Sequence, residues 1–288
     1  MTRPFDPRVS PHAGLGRPLL LVSVASALEV PAAVEGGADL VDAKDPESGA
    51  LGAVTLDVLR EIAGAVHGMR PVSAALGDAV TEQKIARAVR QYVEAGAQIV
   101  KVGIAGVTTQ ARAAALLHAA VDGARAGGGR VVAVAYADTA TVLPPPAVVD
   151  IAAMAGADGV LLDTIDKAGP GLPELIAPGG LRAWVARAHD AGLWASVAGR
   201  LTAETLACAW AARADVVGVR GAACDSGRNS TVSCDRVRAL RVRLDEVATR
   251  VAAARRGDRL EPPRPRSPRG PRAGSTDRPD RRPRLPAA

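Results

Sequence analysis

The sequence predicts an α/β fold of the (β/α)8 kind, a single-domain TIM barrel, on three observations. A pattern recurs four times: EGGADLVDAK ending at Lys44, EAGAQIVKVG ending at Gly103, MAGADGVLLD ending at Asp163 and AARADVVGVR ending at Arg220. The third residues of the copies, Gly37, Gly96, Gly156 and Arg213, are 59, 60 and 57 residues apart, and each copy reads as a helix end, a tight turn and a short buried strand. Further apolar runs, PLLLVSVAS, PVSAALGD, RVVAVAYAD and LWASVAG, lie between the copies, so four repeats of two βα units make eight strands. Finally, 288 residues with 48% apolar content suit one large core with tails, and 2% aromatics require that core to be aliphatic.

Taken in order, the strands are expected near 18–24, 39–44, 72–77, 98–103, 130–136, 158–163, 193–198 and 214–220, each followed by a helix-compatible stretch. An open doubly wound sheet is the alternative, but no GxGxxG follows the first strand. The barrel domain spans 18–254. Residues 1–17 read as a disordered lead, and 255–288, with eight prolines among its arginines, as a disordered tail unable to bury a core. The net charge of +6 is a property of that tail, which carries +7 and leaves the rest at −1. A basic fold that grips nucleic acid is therefore not expected, and the tail is either solvated or a contact for acidic partners.

Three cysteines without CxxC spacing and four histidines exclude a disulfide framework and a zinc site, so no metal or cofactor is expected and a reducing cytoplasm is the default. Arg17 followed by PLLLVSVASALEV imitates a short signal sequence, but cleavage there would remove the first strand. No run reaches the ~20 apolar residues of a membrane span. An exterior of small residues would accept a homo-oligomer.

Only four lysines occur against 32 arginines, and three of them, Lys44, Lys101 and Lys167, fall at strand ends, where a barrel builds its active site. An amine can lose its proton and form an imine with a carbonyl; a guanidinium cannot. Lys84, in TEQKIARAVR, reads as a solvated helix charge. The same strand ends carry Asp42, Asp78, Asp138 and Asp163. Asp42 and Lys44, two apart on a strand, project to one side. For any single Asp, capping is as good a reading as function. A whole set of buried charges costs too much to be gathered without a use. Clustered ammonium groups in a partly dry pocket disfavour one another's protonation, which leaves one amine free near neutral pH.

The segments VAGRLTAET and GVRGAACDSGRNS follow strands 7 and 8, where barrels hold phosphate. Gly199 and Gly221 allow close backbone approach, Arg200 or Arg220 supplies charge, and the following helix starts offer N–H groups. His67, His118 and His189 fall in helical stretches and His12 in the lead, which suits packing or surface roles.

Together, VDAKDPESGALG (41–52), SAALGD (73–78), IVKVG (99–103), AYADT (135–139), LLDTIDKAG (161–169) and VGVRGAAC (217–224) resemble the (5-formylfuran-3-yl)methyl phosphate synthase family of methanofuran-type cofactor biosynthesis over roughly residues 18–250. The resemblance implies an aldolase-like TIM barrel and a lyase that condenses two glyceraldehyde 3-phosphates, losing one phosphate and two waters. It further implies Lys44 as the Schiff-base lysine and Lys101 as the proton acceptor, with Asp42, Asp163 and Lys167 in the pocket. The partner so implied is a small triose phosphate. The proline-rich tail departs from the family core. Barrel and phosphate loops alone would equally suit another Schiff-base aldolase or isomerase, or a non-catalytic phosphometabolite-binding protein.

Overall fold

A computed structural model describes residues 17–78, 81–139 and 143–256. The first sixteen residues of the expected lead and residues 257–288 of the expected tail lie outside them. Eight parallel strands close into a barrel in sequence order: β1 (Leu19–Val24), β2 (Leu40–Ala43), β3 (Val72–Asp78), β4 (Ile99–Gly103), β5 (Arg130–Tyr136), β6 (Gly159–Asp163), β7 (Trp194–Val197) and β8 (Val216–Val219). Closure is made by β1 against β8, with Leu20 opposite Val217 and Val22 opposite Val219. The helices are α1 (Val30–Glu35), α2 (Leu56–Val66), α3 (Glu82–Glu94), α4 (Gln110–Arg125), α5 (Pro145–Ala155), α6 (Leu172–Leu175), α7 (Pro178–Asp190), α8 (Leu206–Ala211) and α9 (Cys234–Arg256). Each strand is thus followed by at least one helix, as expected. None of the described helices is long and apolar enough to cross a membrane.

The strands read as unbroken apolar runs because both faces are buried. Leu20, Val22 and Val24 face the helices, while Leu19 and Leu21 fill the barrel with Leu40, Ile99, Val132 and Trp194. The aromatic side chains of the interior are Trp194 and Tyr136, and Gly159 on the strand beside Trp194 makes space for its ring: a Cβ there would lie 2.0 Å from the indole Nε1. With aliphatic side chains filling the rest, the barrel is a packed core rather than a pore.

The fourfold repeat is a fourfold joint. α1, α3, α5 and α8 all end in a Schellman turn, with the N–H groups of Ala38, Ala97, Ala157 and Ala214 donating to Ala33, Tyr92, Ala152 and Ala209 at 3.0 Å in each case. The residue before each is left-handed: Gly37 (φ 101°), Gly96 (φ 111°), Gly156 (φ 73°) and Arg213 (φ 66°). The residue after each latches the strand before it. Asp39 accepts from Leu20 N at 2.8 Å, Gln98 from Val72 N at 2.7 Å, Asp158 from Val131 N at 2.9 Å and Asp215 from Ala195 N at 2.7 Å. In return the backbone N–H of each latch residue donates to the carbonyl of the residue that it holds. These latches sit at the strand starts, the face of a barrel concerned with stability.

Arg17, placed in the lead by composition, belongs to the folded domain. Its guanidinium pairs with Asp39 at 2.8 Å and with Asp245 of α9 at 2.9 Å. α9 runs to Arg256, across the expected boundary at 254, and buries Val237, Leu240 and Leu244.

Candidate active site

Along the strands the inward positions change from apolar to polar. Leu19 and Leu21 give way to Ser23, Leu40 to Asp42 and Lys44, Ile99 to Lys101, Leu161 to Asp163, and Trp194 to Ser196. The period of two that puts the apolar residues inside also aims these polar ones inward, one or two steps nearer the carboxyl ends. Ser23, Lys44, Lys101, Asp163 and Ser196 line a cavity of about 440 Å³, roofed by the loops after β7 and β8, and fully buried Asp42 lies behind Lys101.

Two of the three lysines are held by carboxylates. Lys101 Nζ lies 2.6 Å from Asp42 Oδ2. Asp42 also accepts from Ser23 at 2.8 Å and from Ser73 at 2.7 Å, side chains that share its register in the sheet. Lys167 Nζ lies 2.7 Å from Asp163 Oδ1 and 2.5 Å from the Thr164 carbonyl. Burial works to raise the Asp163 carboxyl, but Lys167 and Lys44 outweigh it and hold the group below the usual carboxylate range. Lys44 differs from both: among the described residues its buried amine has no hydrogen-bond or ion-pair partner. Burial depresses its pKa to about 8, with Asp163 pulling up against repulsion from Lys101 and Lys167. The cavity therefore holds a lone amine, an appreciable fraction of it neutral near physiological pH, between two fixed ammonium–carboxylate pairs.

The expected residues Lys44, Lys101, Asp42, Asp163 and Lys167 are all brought together. Asp78 and Asp138 stand apart and hold loops: Asp78 accepts from Ala105 N at 2.9 Å and Tyr136 Oη at 3.1 Å, and Asp138 from the N–H groups of Ile165 and Asp166 at 2.8 and 2.7 Å. Neither caps a helix, since the residues before α3, α5 and α6 are Thr81, Pro144 and Gly171. Lys84 is exposed on α3, and His67, His118 and His189 lie on helix surfaces, His189 against Asp215 at 2.8 Å. No group of three or more potential metal ligands occurs among the described residues.

Gly199, Arg200, Arg220 and Gly221 all line the cavity. Gly199 is left-handed (φ 104°), with Thr164 Cγ2 3.0 Å from where a Cβ would stand, so glycine is needed there. Arg200 is left-handed too and gives one N–H to Ala168 O at 3.1 Å. Arg220 has every donor engaged. It makes a two-point pair with Glu29 at 2.6 and 3.1 Å and donates to the carbonyls of Ser23, Arg228 and Ser230. A phosphate could reach it only by displacing a protein acceptor. The expected helix starts are also absent from these loops: α8 begins at Leu206, and a single 3-10 turn, Gly221–Ala223, follows β8.

Ser23, Ser73 and Ser196 were not singled out from the sequence, although a lone hydroxyl inside an apolar strand run, at inward parity with Asp42 or Asp163, is the signal that would have found them. Arg228, also on the cavity wall, lies in the GVRGAACDSGRNS segment expected to hold phosphate, but the cation expected there was Arg220, beside the glycine.

The fold and the site match known proteins. The family model described as 4-HFC-P synthase covers residues 20–241. The (5-formylfuran-3-yl)methyl phosphate synthase of Methanopyrus kandleri is 39% identical over 216 residues, covering 73% of this chain and 91% of the relative. That of Methanothermobacter thermautotrophicus is 35% identical over 233 residues, covering 79% and 99%, and a protein of Streptomyces griseus named as a putative member is 38% identical over 246 residues, covering 82% and 98%. Among solved structures, 3-hexulose-6-phosphate synthase aligns with a TM-score of 0.54 at 20% identity over 77% of this chain and 99% of that one. Thiamine phosphate pyrophosphorylase from Pyrococcus furiosus gives 0.56 at 15% identity over 81% and 97%. These structural likenesses show the barrel fold alone. The sequence matches show more: the chain is an enzyme that belongs to the (5-formylfuran-3-yl)methyl phosphate synthase (4-HFC-P synthase) family.

Proposed function

We propose that this enzyme condenses two glyceraldehyde 3-phosphates into (5-formylfuran-3-yl)methyl phosphate through an imine on Lys44. The names of its relatives supply the product, and the unpartnered amine of Lys44, with its pKa lowered to about 8, carries the mechanism. The Lys44 lone pair adds to the aldehyde carbon of the first triose, and water leaves to give the imine. The adjacent carbon is then acidic. Lys101, held 2.6 Å from Asp42 Oδ2, is the group placed to take that proton. The resulting enamine activates the first triose for elimination of its phosphate and for carbon–carbon bond formation with the second. Elimination of one phosphate, closure through oxygen and dehydration complete the furan, and hydrolysis of the imine frees Lys44. Two trioses thereby lose one phosphoric acid and two waters in all.

Lys167, fixed by Asp163, keeps a positive charge beside the reacting carbonyl oxygen, and the loops at Gly199–Arg200 and Gly221 leave space for phosphate. Borohydride reduction during turnover tests the reading. Substrate mass should appear on the peptide that carries Lys44; an adduct on Lys101 or Lys167 instead would reassign the nucleophile, and activity without any lysine adduct would remove the imine.

A further inference from the structure

We infer that Arg228, on the loop between β8 and α9, binds the phosphate of a triose phosphate substrate. The inference rests on the proposed substrate class and adds the cation that recognises it. Two phosphorylated trioses bring two dianions into one cavity, and most of its positive side chains are already committed. Lys101 is paired with Asp42, Lys167 with Asp163, and Arg220 spends all five N–H groups on Glu29 and three carbonyls. Lys44 must be neutral to act as a nucleophile. The remaining cations on the wall are Arg200 and Arg228.

Arg228 is the better placed of the two, because the fold has fixed its backbone and left its guanidinium almost unused. Buried Arg220 grips the Arg228 carbonyl through Nε at 2.8 Å, and Gly227 before it takes a left-handed turn (φ 104°). The side chain is half-buried on the cavity wall. Among the described residues it makes one hydrogen bond, from Nη2 to the carbonyl of Gly49 at 3.1 Å, so four of its five donors have no protein acceptor. That bond spans the cavity mouth from the loop after β8 to the loop after β2, the one that follows Lys44. Its nearest carboxylates are occupied as well, Asp163 by Lys167 and Asp45 by Ser48 at 2.5 Å. A planar donor fork facing a cavity, anchored behind and unfilled in front, matches the oxygen pair of a phosphate. Gly221 supports it from below: a Cβ at Gly221 would come within 3.7 Å of the Arg228 backbone N and Cβ, so the two residues border one space.

The test is binding of glycerol 3-phosphate, which carries the phosphate but no aldehyde, measured by titration calorimetry on the full chain. Arg228→Gln should bind it at least tenfold more weakly than wild type, and Arg228→Lys should recover part of the loss by keeping the charge without the fork. Borohydride trapping of unphosphorylated glyceraldehyde at Lys44 should be the same in Arg228→Gln as in wild type, while trapping of glyceraldehyde 3-phosphate at low concentration falls. Equal glycerol 3-phosphate affinity in wild type and Arg228→Gln, or no binding by wild type, would overturn the assignment. If glycerol 3-phosphate binding responds as expected but glyceraldehyde traps on no lysine in either protein, Arg228 stands and the imine at Lys44 is what fails.

Discussion

Asp42 and Lys101 lie on strands that are not neighbours, β2 and β4, yet they meet at 2.6 Å inside the barrel. The contact crosses β3, whose inward residues at that level are the small Ser73 and Ala75; Ser73 bonds Asp42 and Ala75 lies in register with Lys101. A larger side chain on β3 would have filled the crossing. The pair has a consequence for a third residue, because an ammonium fixed this close helps to keep the Lys44 amine unprotonated.

Lys101→Met should therefore act on two steps. The push that Lys101 exerts on Lys44 disappears while the pull of Asp42 and Asp163 remains, so the Lys44 pKa moves up from about 8. Borohydride trapping at Lys44 should survive, slowed at neutral pH and restored at higher pH, whereas product formation should fall by roughly a hundredfold or more at every pH for want of the base. Product formation that recovers fully at high pH would leave Lys101 an electrostatic part only.

The wild-type trapping rate should rise with pH up to about 8 and level off beyond it, since the neutral amine is the reactive form. Lys44→Arg keeps charge and folding but removes that form at any usable pH. Its turnover should be below about a tenth of wild type, and a smaller loss would argue against an imine there.

Much of this was legible in the chain, and for identifiable reasons. Strand ends such as Lys101 and Asp163 could be placed because parallel strands buried on both faces are plain apolar runs broken by a charge. The four left-handed turns could be placed because three are glycines at fixed spacing, and Arg213 shares their position. What could not be read were partnerships formed through the fold. Arg220 looks like a free cation beside a glycine, and only the return of Glu29, 191 residues earlier, shows its guanidinium filled. Asp78 and Asp138 carry the same strand-end signature as Asp163; their separation from it depends on which loop amides lie within reach.

The latches at the barrel's lower face should be structural alone. Asp215 is fully buried and accepts from Ala195 N at 2.7 Å and His189 at 2.8 Å. Asp215→Ala leaves a buried N–H without its acceptor, at a cost of about 1–3 kcal/mol. Calorimetry should show the lower melting temperature, and kcat per folded molecule should be unchanged, because the site lies at the opposite strand ends. A large fall in kcat would give the latch a role beyond stability.

Arg213 offers the reverse. It is exposed, makes no hydrogen bond among the described residues through its side chain, and sits at φ 66° where the other three repeats have glycine. Arg213→Gly relieves the left-handed strain at the cost of a more flexible unfolded chain, and at this turn the first effect is the larger. Chemical denaturation should show a net gain of about 0.5–1 kcal/mol, the relieved strain of about 1–2 less an entropy cost of about 0.4–1. A loss would mean that the Arg213 side chain contributes packing.

The amine that does the chemistry should itself weaken the fold. The Lys44 pKa falls from the ordinary 10.5 to about 8 on folding, so between these values the unfolded chain binds more protons and stability rises with pH. Below about 8 the protonated amine is present in both states and its full burial cost is paid, roughly 3 kcal/mol at 1.36 kcal/mol per pKa unit. Lys44→Met keeps the length of the side chain and removes the charge. The variant should be inactive but more stable than wild type at pH 7 by up to about 3 kcal/mol, and at pH 9.5 the gap should shrink to about half. Urea unfolding at the two pH values decides it: a gap that does not change with pH would show that the lysine is no more costly folded than unfolded, and that its amine is not held near 8.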